Sequence, residues 1–418
     1  MRTVTYGALA ALGLTATAYA APALKAEVGL EATAYFQDGT QDQSSKQASL
    51  RLLGDARWDW NGRDDSFTLK PFARLDSQDR ERSHADVREA LWLHARGPWQ
   101  TRVGIGQTFW GVTEGAHVVD IVNQTDTLET PEGDARLGQP MLNVGWEREA
   151  HLVDVFVLPG FRERPFAGSD GRLRLPWVVN TDAATYESGA GRNHVDLAAR
   201  YQFSANGLRL GLSGFRGTSR EPELQPVVDM TKVGPGFFAP GYQPELQPYY
   251  PQITQWGVDL QLTRGDWLWK LEAIDRDGFG PKRFHTADAG LEYTQVGVFG
   301  SRCDLGWLLE GMYDSRQEQA THPFEHDVLL GWRLAFNDEA SSDLLLAVLR
   351  DTEHPETYVR LKGSTRLNDR LKLAVEARVL ATRDPQTPFA VLASPDLDYK
   401  LRSFGDDSHL RAELTWFY

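Results

Sequence analysis

Residues 47–60, QASLRLLGDARWDW, decide the fold. Ala48, Leu50, Leu52, Gly54, Ala56, Trp58 and Trp60 share one parity, and Gln47, Ser49, Arg51, Asp55, Arg57 and Asp59 share the other. Successive side chains of a strand point to opposite faces, so this segment reads as a strand with one apolar and one polar side. The alternation returns at Val195, Leu197, Ala199, Tyr201 and Phe203, at Trp256, Val258, Leu260 and Leu262, at Val328, Leu330, Trp332 and Leu334, and at Leu371, Leu373, Val375, Ala377 and Val379. Marking every such run predicts about eighteen strands. They lie near 27–36, 47–60, 66–76, 85–96, 99–108, 140–147, 150–158, 194–204, 207–217, 252–263, 266–276, 289–299, 302–315, 326–336, 342–351, 356–367, 370–383 and 408–418.

The connections alternate between short and long. The short ones are turn chemistry: Asn61-Gly62, Gly97-Pro98, Arg148-Glu149, Ala205-Asn206, Arg264-Gly265, Gly300-Ser301, Asn337-Asp338 and Asn368-Asp369. The long ones include 109–139, 159–193, 218–251 and 384–407. A transmembrane antiparallel β-barrel has an even strand number, short periplasmic turns and long extracellular loops. A soluble sandwich array or propeller has no reason to put its long loops at one end of every hairpin. Nor does it gather aromatics such as Trp58, Trp60, Trp99, Trp267, Trp269 and Tyr293 near strand ends, where their rings suit the headgroup level of a bilayer. The expected fold class is all-β, a transmembrane antiparallel barrel forming a single domain over 21–418.

Composition agrees. The chain has 418 residues, 41% hydrophobic and 24% charged, with a net charge of −14 and one cysteine, Cys303. No apolar run long enough for a membrane helix exists beyond the N-terminus. One cysteine makes no disulfide framework, and an acidic chain argues against nucleic acid as a partner. Residues 1–20, MRTVTYGALAALGLTATAYA, have the charged start, apolar middle and Ala18-Tyr19-Ala20 end of a cleaved export signal. At the other terminus Leu410, Ala412, Leu414, Trp416 and Tyr418 alternate with polar residues. That final strand resembles the targeting signal of bacterial outer-membrane proteins, with tyrosine in place of the usual terminal phenylalanine. The resemblance implies the bacterial outer membrane as location, with barrel-assembly machinery, membrane lipid and lipopolysaccharide as partners.

If the apolar face meets lipid, the polar face lines the lumen. Strands 2–5 then contribute Arg51, Arg57, Arg74, Arg88, Arg96 and Arg102, and strands 16–18 contribute Arg360, Lys362 and Arg378. In a closed barrel these groups are neighbours across the first strand and form one basic wall. Asp259, Glu272, Glu310 and Asp314 lie roughly opposite. The third external loop, 109–139, carries Glu114, His117, Asp120, Asp126 and Glu129, and His117–Asn123 has a short helical look. In general porins this loop folds into the lumen and sets acidic groups against a basic wall, and the charge layout here resembles that arrangement. The expected consequence is a transverse field across a narrow aqueous constriction, which orients small hydrophilic or anionic solutes. A solvated lid outside the barrel is the alternative for this loop. The fourth loop is basic, with Arg162, Arg164, Arg172 and Arg174. Arginine pairs carboxylates and phosphates bidentately, so these four suit an anion-collecting vestibule, lipopolysaccharide phosphate or internal pairing with acidic loops. The proline- and aromatic-rich fifth loop, 218–251, suits packing or, less simply, sugar stacking.

The segments FWGVTEGAHVVDIVNQTD (109–126), LGQPMLNVGW (137–146), LPGFRERPFAGSDGRLRLP (158–176) and WLWKLEAIDR (267–276) carry a family resemblance. They resemble an uncharacterised, porin-like family of proteobacterial outer-membrane barrels, and more distantly alginate-export-type porins. The resemblance implies a barrel and a channel and supplies no substrate. Enzyme signatures are weak. The histidines show no HExxH or similar metal spacing, and Gly211-Leu212-Ser213-Gly214 is not a G-x-S-x-G elbow. His322 and His326 near Asp314 and Glu325 are the nearest approach to a hydrolase or metal site. No cofactor, metal or enzymatic activity is therefore expected. The expected function is passive or facilitated diffusion of small hydrophilic solutes. A plugged barrel for adhesion, assembly or lipid trafficking is the second reading, and a barrel hydrolase the third.

Overall fold

A computed structural model of the chain describes residues 22–418 apart from 131, 132 and 323. The export signal expected at 1–20 lies outside the described residues. Eighteen strands form one antiparallel sheet closed on itself. They are β1 (Ala23–Tyr35), β2 (Lys46–Trp60), β3 (Asp65–Asp76), β4 (His84–Arg96), β5 (Trp99–Gly106), β6 (Gln139–Arg148), β7 (His151–Pro159), β8 (Val195–Ala205), β9 (Leu208–Thr218), β10 (Gln252–Arg264), β11 (Trp267–Asp277), β12 (Phe284–Gln295), β13 (Asp304–Asp314), β14 (Asp327–Ala335), β15 (Asp343–Asp351), β16 (Thr357–Asn368), β17 (Leu371–Ala381) and β18 (His409–Phe417). Each strand pairs with its sequence neighbours, and β1 closes the ring on β18 with Leu30 opposite Leu414. Closure leaves no unpaired edge, which a spanning sheet requires because hydrocarbon offers no hydrogen bonds.

The parity of each strand sorts its side chains. Leu30, Leu52, Leu212 and Trp256 point outward and stay exposed, while Glu31, Arg74, Asp259 and Glu272 point inward and are buried. Trp99, Trp267, Trp269, Trp307 and Trp416 are exposed beside the short turns. Trp267 lies 4.8 Å from the Tyr293 ring and 6.3 Å from Trp269, centroid to centroid, forming part of an interfacial girdle. The outward face makes a direct prediction. Leu212 sits mid-strand on β9, so Leu212→Arg should destabilise the barrel in bilayers by about 2–4 kcal/mol. Equilibrium denaturation in liposomes measures it, and a loss under a few tenths would place Leu212 away from lipid.

Two expectations need correction. The twelfth strand was expected at 289–299 with its turn at Gly300-Ser301, but β12 runs from Phe284 to Gln295. The ladder with β11 places Phe284 opposite Arg276 and Tyr293 opposite Trp267, which fixes both ends. The chain then reverses through Gly297 (φ 64°) and Gly300 (φ 67°), with Phe299 almost fully exposed at the tip. Phe299 continues the apolar parity of Ala289, Leu291 and Tyr293 past the last pair, with Val296 and Val298 apolar beside it, which is why alternation alone overruns the strand. The second correction concerns the lumen. Its wall is not polar throughout: Met141, Phe156, Leu158, Phe215, Ile253, Ile274 and Phe284 face inward and are buried.

Candidate functional site

Those inward apolar side chains have a partner. The described residues of 107–138 leave β5 and turn into the barrel. Trp110, Val119, Ile121 and Val122 pack against the apolar patch of β6–β12. Ala116 packs against a second patch, Leu308, Met312, Leu329 and Leu349, on β13–β15. Asn123 ties the base of the loop: its amide donates to the carbonyls of Gly106 (2.9 Å) and Leu137 (2.8 Å), and its oxygen accepts from Thr108 N (2.9 Å). The expected helix at 117–123 does not form. Four of those residues are the β-branched Val118, Val119, Ile121 and Val122, and Val119 N–H is given to a wall carboxylate instead.

The loop is held at both sides. Glu272 on β11 is wholly buried and accepts from Val112 N (2.6 Å), Thr113 N (3.0 Å), Thr113 Oγ1 (2.8 Å) and Val119 N (3.2 Å). Glu310 on β13 accepts from Glu114 N and Gly115 N, and Asp288 on β12 accepts from Ala116 N at 3.0 Å. On the other side the loop's carboxylates meet arginines. Arg74 makes a bidentate pair with Glu129, both contacts 2.7 Å, and Arg88 pairs with the fully buried Asp126. Arg360 reaches Asp134 at 3.9 Å.

Several of the other basic-wall residues have partners on the strands. Arg51 binds Glu413 (2.9 Å) and Glu27 (3.3 Å), Arg57 binds Asp59 of its own strand, and Arg102 binds Asn143 and Asp154. Arg96 is exposed beside the Gly97 turn. Lys362 lines a cavity of about 250 Å³ toward the short-turn end, with Arg51, Glu376 and Arg411. Arg378 binds Glu376 at 2.9 Å. Within the loop, Asp120 pairs with Arg136 (2.8 Å) rather than with the wall, Glu114 reaches Arg333 (3.0 Å), and His117 lies 3.7 Å from Asp134 and edge-on to Phe109.

Above the loop lies a chamber of about 610 Å³, roofed by the fourth, fifth and ninth outer loops. Most of its bases have a carboxylate beside them: Arg136 has Asp120, Arg220 has Asp196, Arg276 has Glu221, Arg316 has Asp314 and Arg378 has Glu376. Arg164 and Arg174 differ. Among the described residues, neither has a carboxylate within ion-pair distance. Arg164 Nε donates only a long bond to Gln124 Oε1 (3.4 Å), and Arg174 Nη1 donates to the carbonyls of Leu175 and Pro176. Burial pulls both guanidinium pKa values below the usual arginine range, opposed in part by the charges of Glu221 and Asp407. Both still carry charge, since arginine does not deprotonate in proteins. The other two loop-four arginines are structural. Arg162 clamps Asp86 (2.8 Å) and Gly138 O. Arg172 is buried on Asp407 (2.6 Å), on the carbonyls of Gln37, Ser44 and Asp406, and over the Tyr35 ring, fastening loops one, four and nine.

Sequence alone marks Glu272 and Glu310 only as acids opposite the basic wall, not as anchors of the loop, and does not mark Asn123 or Asp288. Their work is to accept or donate at backbone groups, which leaves no side-chain pattern. The fifth-loop aromatics pack: Tyr250 lies 4.8 Å from Phe161, and Phe238 contacts Phe389. His322 sits on Asp314 at 2.9 Å in an ion-pair cluster with Arg316. Among the described residues no group of three or more His, Cys, Asp or Glu side chains has metal-holding geometry.

No protein-family model and no curated protein matches this chain. Solved structures do match its fold, which is shared with bacterial outer-membrane porin-like barrels. A BenF-like porin from Pseudomonas fluorescens Pf-5 aligns with TM-score 0.53 at 8% identity, over 95% of this chain and 98% of that one. Wzi, an Escherichia coli outer-membrane protein involved in group 1 capsule assembly and described as a carbohydrate-binding β-barrel, aligns with TM-score 0.52 at 11% identity, over 94% and 84%.

Proposed function

We propose that this barrel is a non-enzymatic outer-membrane channel through which small hydrophilic solutes diffuse, with residues 109–139 as its constricting loop. The observation that carries the proposal is the pair of cavities either side of that loop, about 610 Å³ outside and about 250 Å³ toward the short turns, both lined by charged groups. The arginines facing the loop, Arg74 and Arg88, set the charge of the constriction, and Arg164 and Arg174 set that of the vestibule. Export by a cleaved signal at 1–20, insertion through barrel-assembly machinery reading the Trp416-Phe417-Tyr418 end, and contact with lipopolysaccharide belong to the same proposal.

A second reading has its own support. The loop's acids are consumed in direct ion pairs and its apolar side chains are buried against the wall. That favours a plugged barrel that binds solute, carbohydrate included, at its outer face. Planar-bilayer recording separates the two. The channel proposal expects discrete conductance steps in potassium chloride; folded protein that inserts and gives none would overturn it in favour of the plug.

A further inference from the structure

We propose that the outer chamber is a binding site for an organic carboxylate with an apolar body, because it sets two arginines that have no carboxylate partner among the described residues against an apolar lining. The inference deepens the channel proposal by naming a solute class, and its test does not depend on conductance.

Three features select the ligand. The first is the state of the bases. A guanidinium already paired to a carboxylate offers little to a solute, whereas Arg164 and Arg174 keep uncommitted N–H groups in the same 610 Å³ space. Arginine's planar fork suits a carboxylate, and charge-assisted bonds are the strong ones. The second is the lining between them. Phe166, Leu173, Leu175, Trp177, Phe324 and Leu401 face the chamber, and a fully hydrated ion gains nothing from such surface. The third is desolvation: beside that apolar lining a dianion loses more hydration than a monoanion, which favours a monocarboxylate over a phosphate dianion. The volume accommodates a molecule of the size of an aromatic or short-chain acid within the range of ordinary small-molecule pockets.

Calorimetry on the purified, folded barrel in detergent tests this with phenylacetate, acetate, 2-phenylethanol and phenyl phosphate. Phenylacetate should bind about tenfold more tightly than acetate, which lacks the body, or 2-phenylethanol, which lacks the charge. Arg164→Gln with Arg174→Gln should weaken phenylacetate at least about tenfold, and Arg164→Lys with Arg174→Lys should recover part of the loss because charge returns without the fork. Equal binding of acetate or 2-phenylethanol, tighter binding of phenyl phosphate, or an unchanged affinity in the glutamine variant each overturns the inference. If the glutamine variant fails to fold, the ligand series on the native barrel decides alone. Phenylacetate binding without conductance would remove the channel proposal and leave this one standing; conductance without binding would do the reverse.

Discussion

Glu272→Ala is expected to release the third loop from the acidic wall, raise single-channel conductance and lower barrel stability by several kcal/mol. The carboxylate accepts from three backbone N–H groups and one hydroxyl, all in residues 112–119. Leaving a buried donor unsatisfied costs about 1–3 kcal/mol, and bonds to a charged acceptor sit in the upper part of the usual range. The three orphaned amides equal in number those that Glu310 and Asp288 still hold at Glu114, Gly115 and Ala116, so the loop is freed at Val112, Thr113 and Val119 first. The loop has a way to recover some of this by moving into water, which is why the effect divides between stability and opening. Glu272→Gln keeps one acceptor oxygen of similar shape and should fall between native and alanine. Amide hydrogen exchange at Val112, Thr113 and Val119 is the direct measure. Protection that survives the alanine substitution would mean the apolar packing of Trp110, Val119, Ile121 and Val122 alone holds the loop.

The barrel itself was legible because its grammar is periodic. Alternation in QASLRLLGDARWDW requires a two-faced strand, and the short and long connections require one end to differ from the other. The third loop's charge pairing was legible in part. Arg74, Arg88, Asp126 and Glu129 were singled out by type and parity, and they meet. What could not be read was how they meet. Arginines and carboxylates were expected to face each other across water, whereas they touch, because apolar residues of the loop draw it onto the wall. The sign of this lay in β7. In LVDVFVLP (152–159), Phe156 and Leu158 are apolar on the inward parity, and Val153, Val155 and Val157 on the outward one. With the outward face meeting lipid, apolar side chains on the inward parity as well call for a cover from inside the barrel. Asp120 shows the limit of parity arguments in loops. Its partner Arg136 stands 16 residues further along the loop, held there by the Thr125–Arg136 bridge, and a contact of that kind carries no period.

Asp126→Asn tests whether contact or field governs the constriction. Asp126 is wholly buried and holds Arg88, which also lies 3.1 Å from Asp86 and over the Phe72 ring. Removing one partner of a buried ion pair costs about 3–5 kcal/mol, and Asp86 should hold the loss toward the low end of that range. The same substitution leaves the lumen one positive charge richer, so the reversal potential in a salt gradient should move toward anions. Arg88→Met together with Asp126→Leu removes both charges at once. Replacing a buried pair by apolar side chains of similar volume is often neutral for stability, and the net lumenal charge is unchanged, so the double variant should regain both stability and native selectivity. Two charges facing each other across open water give a different result. There Asp126→Asn would alter selectivity while costing well under 1 kcal/mol, as exposed pairs do. A selectivity change without a loss of stability would therefore overturn the contact pairing and restore the open transverse field.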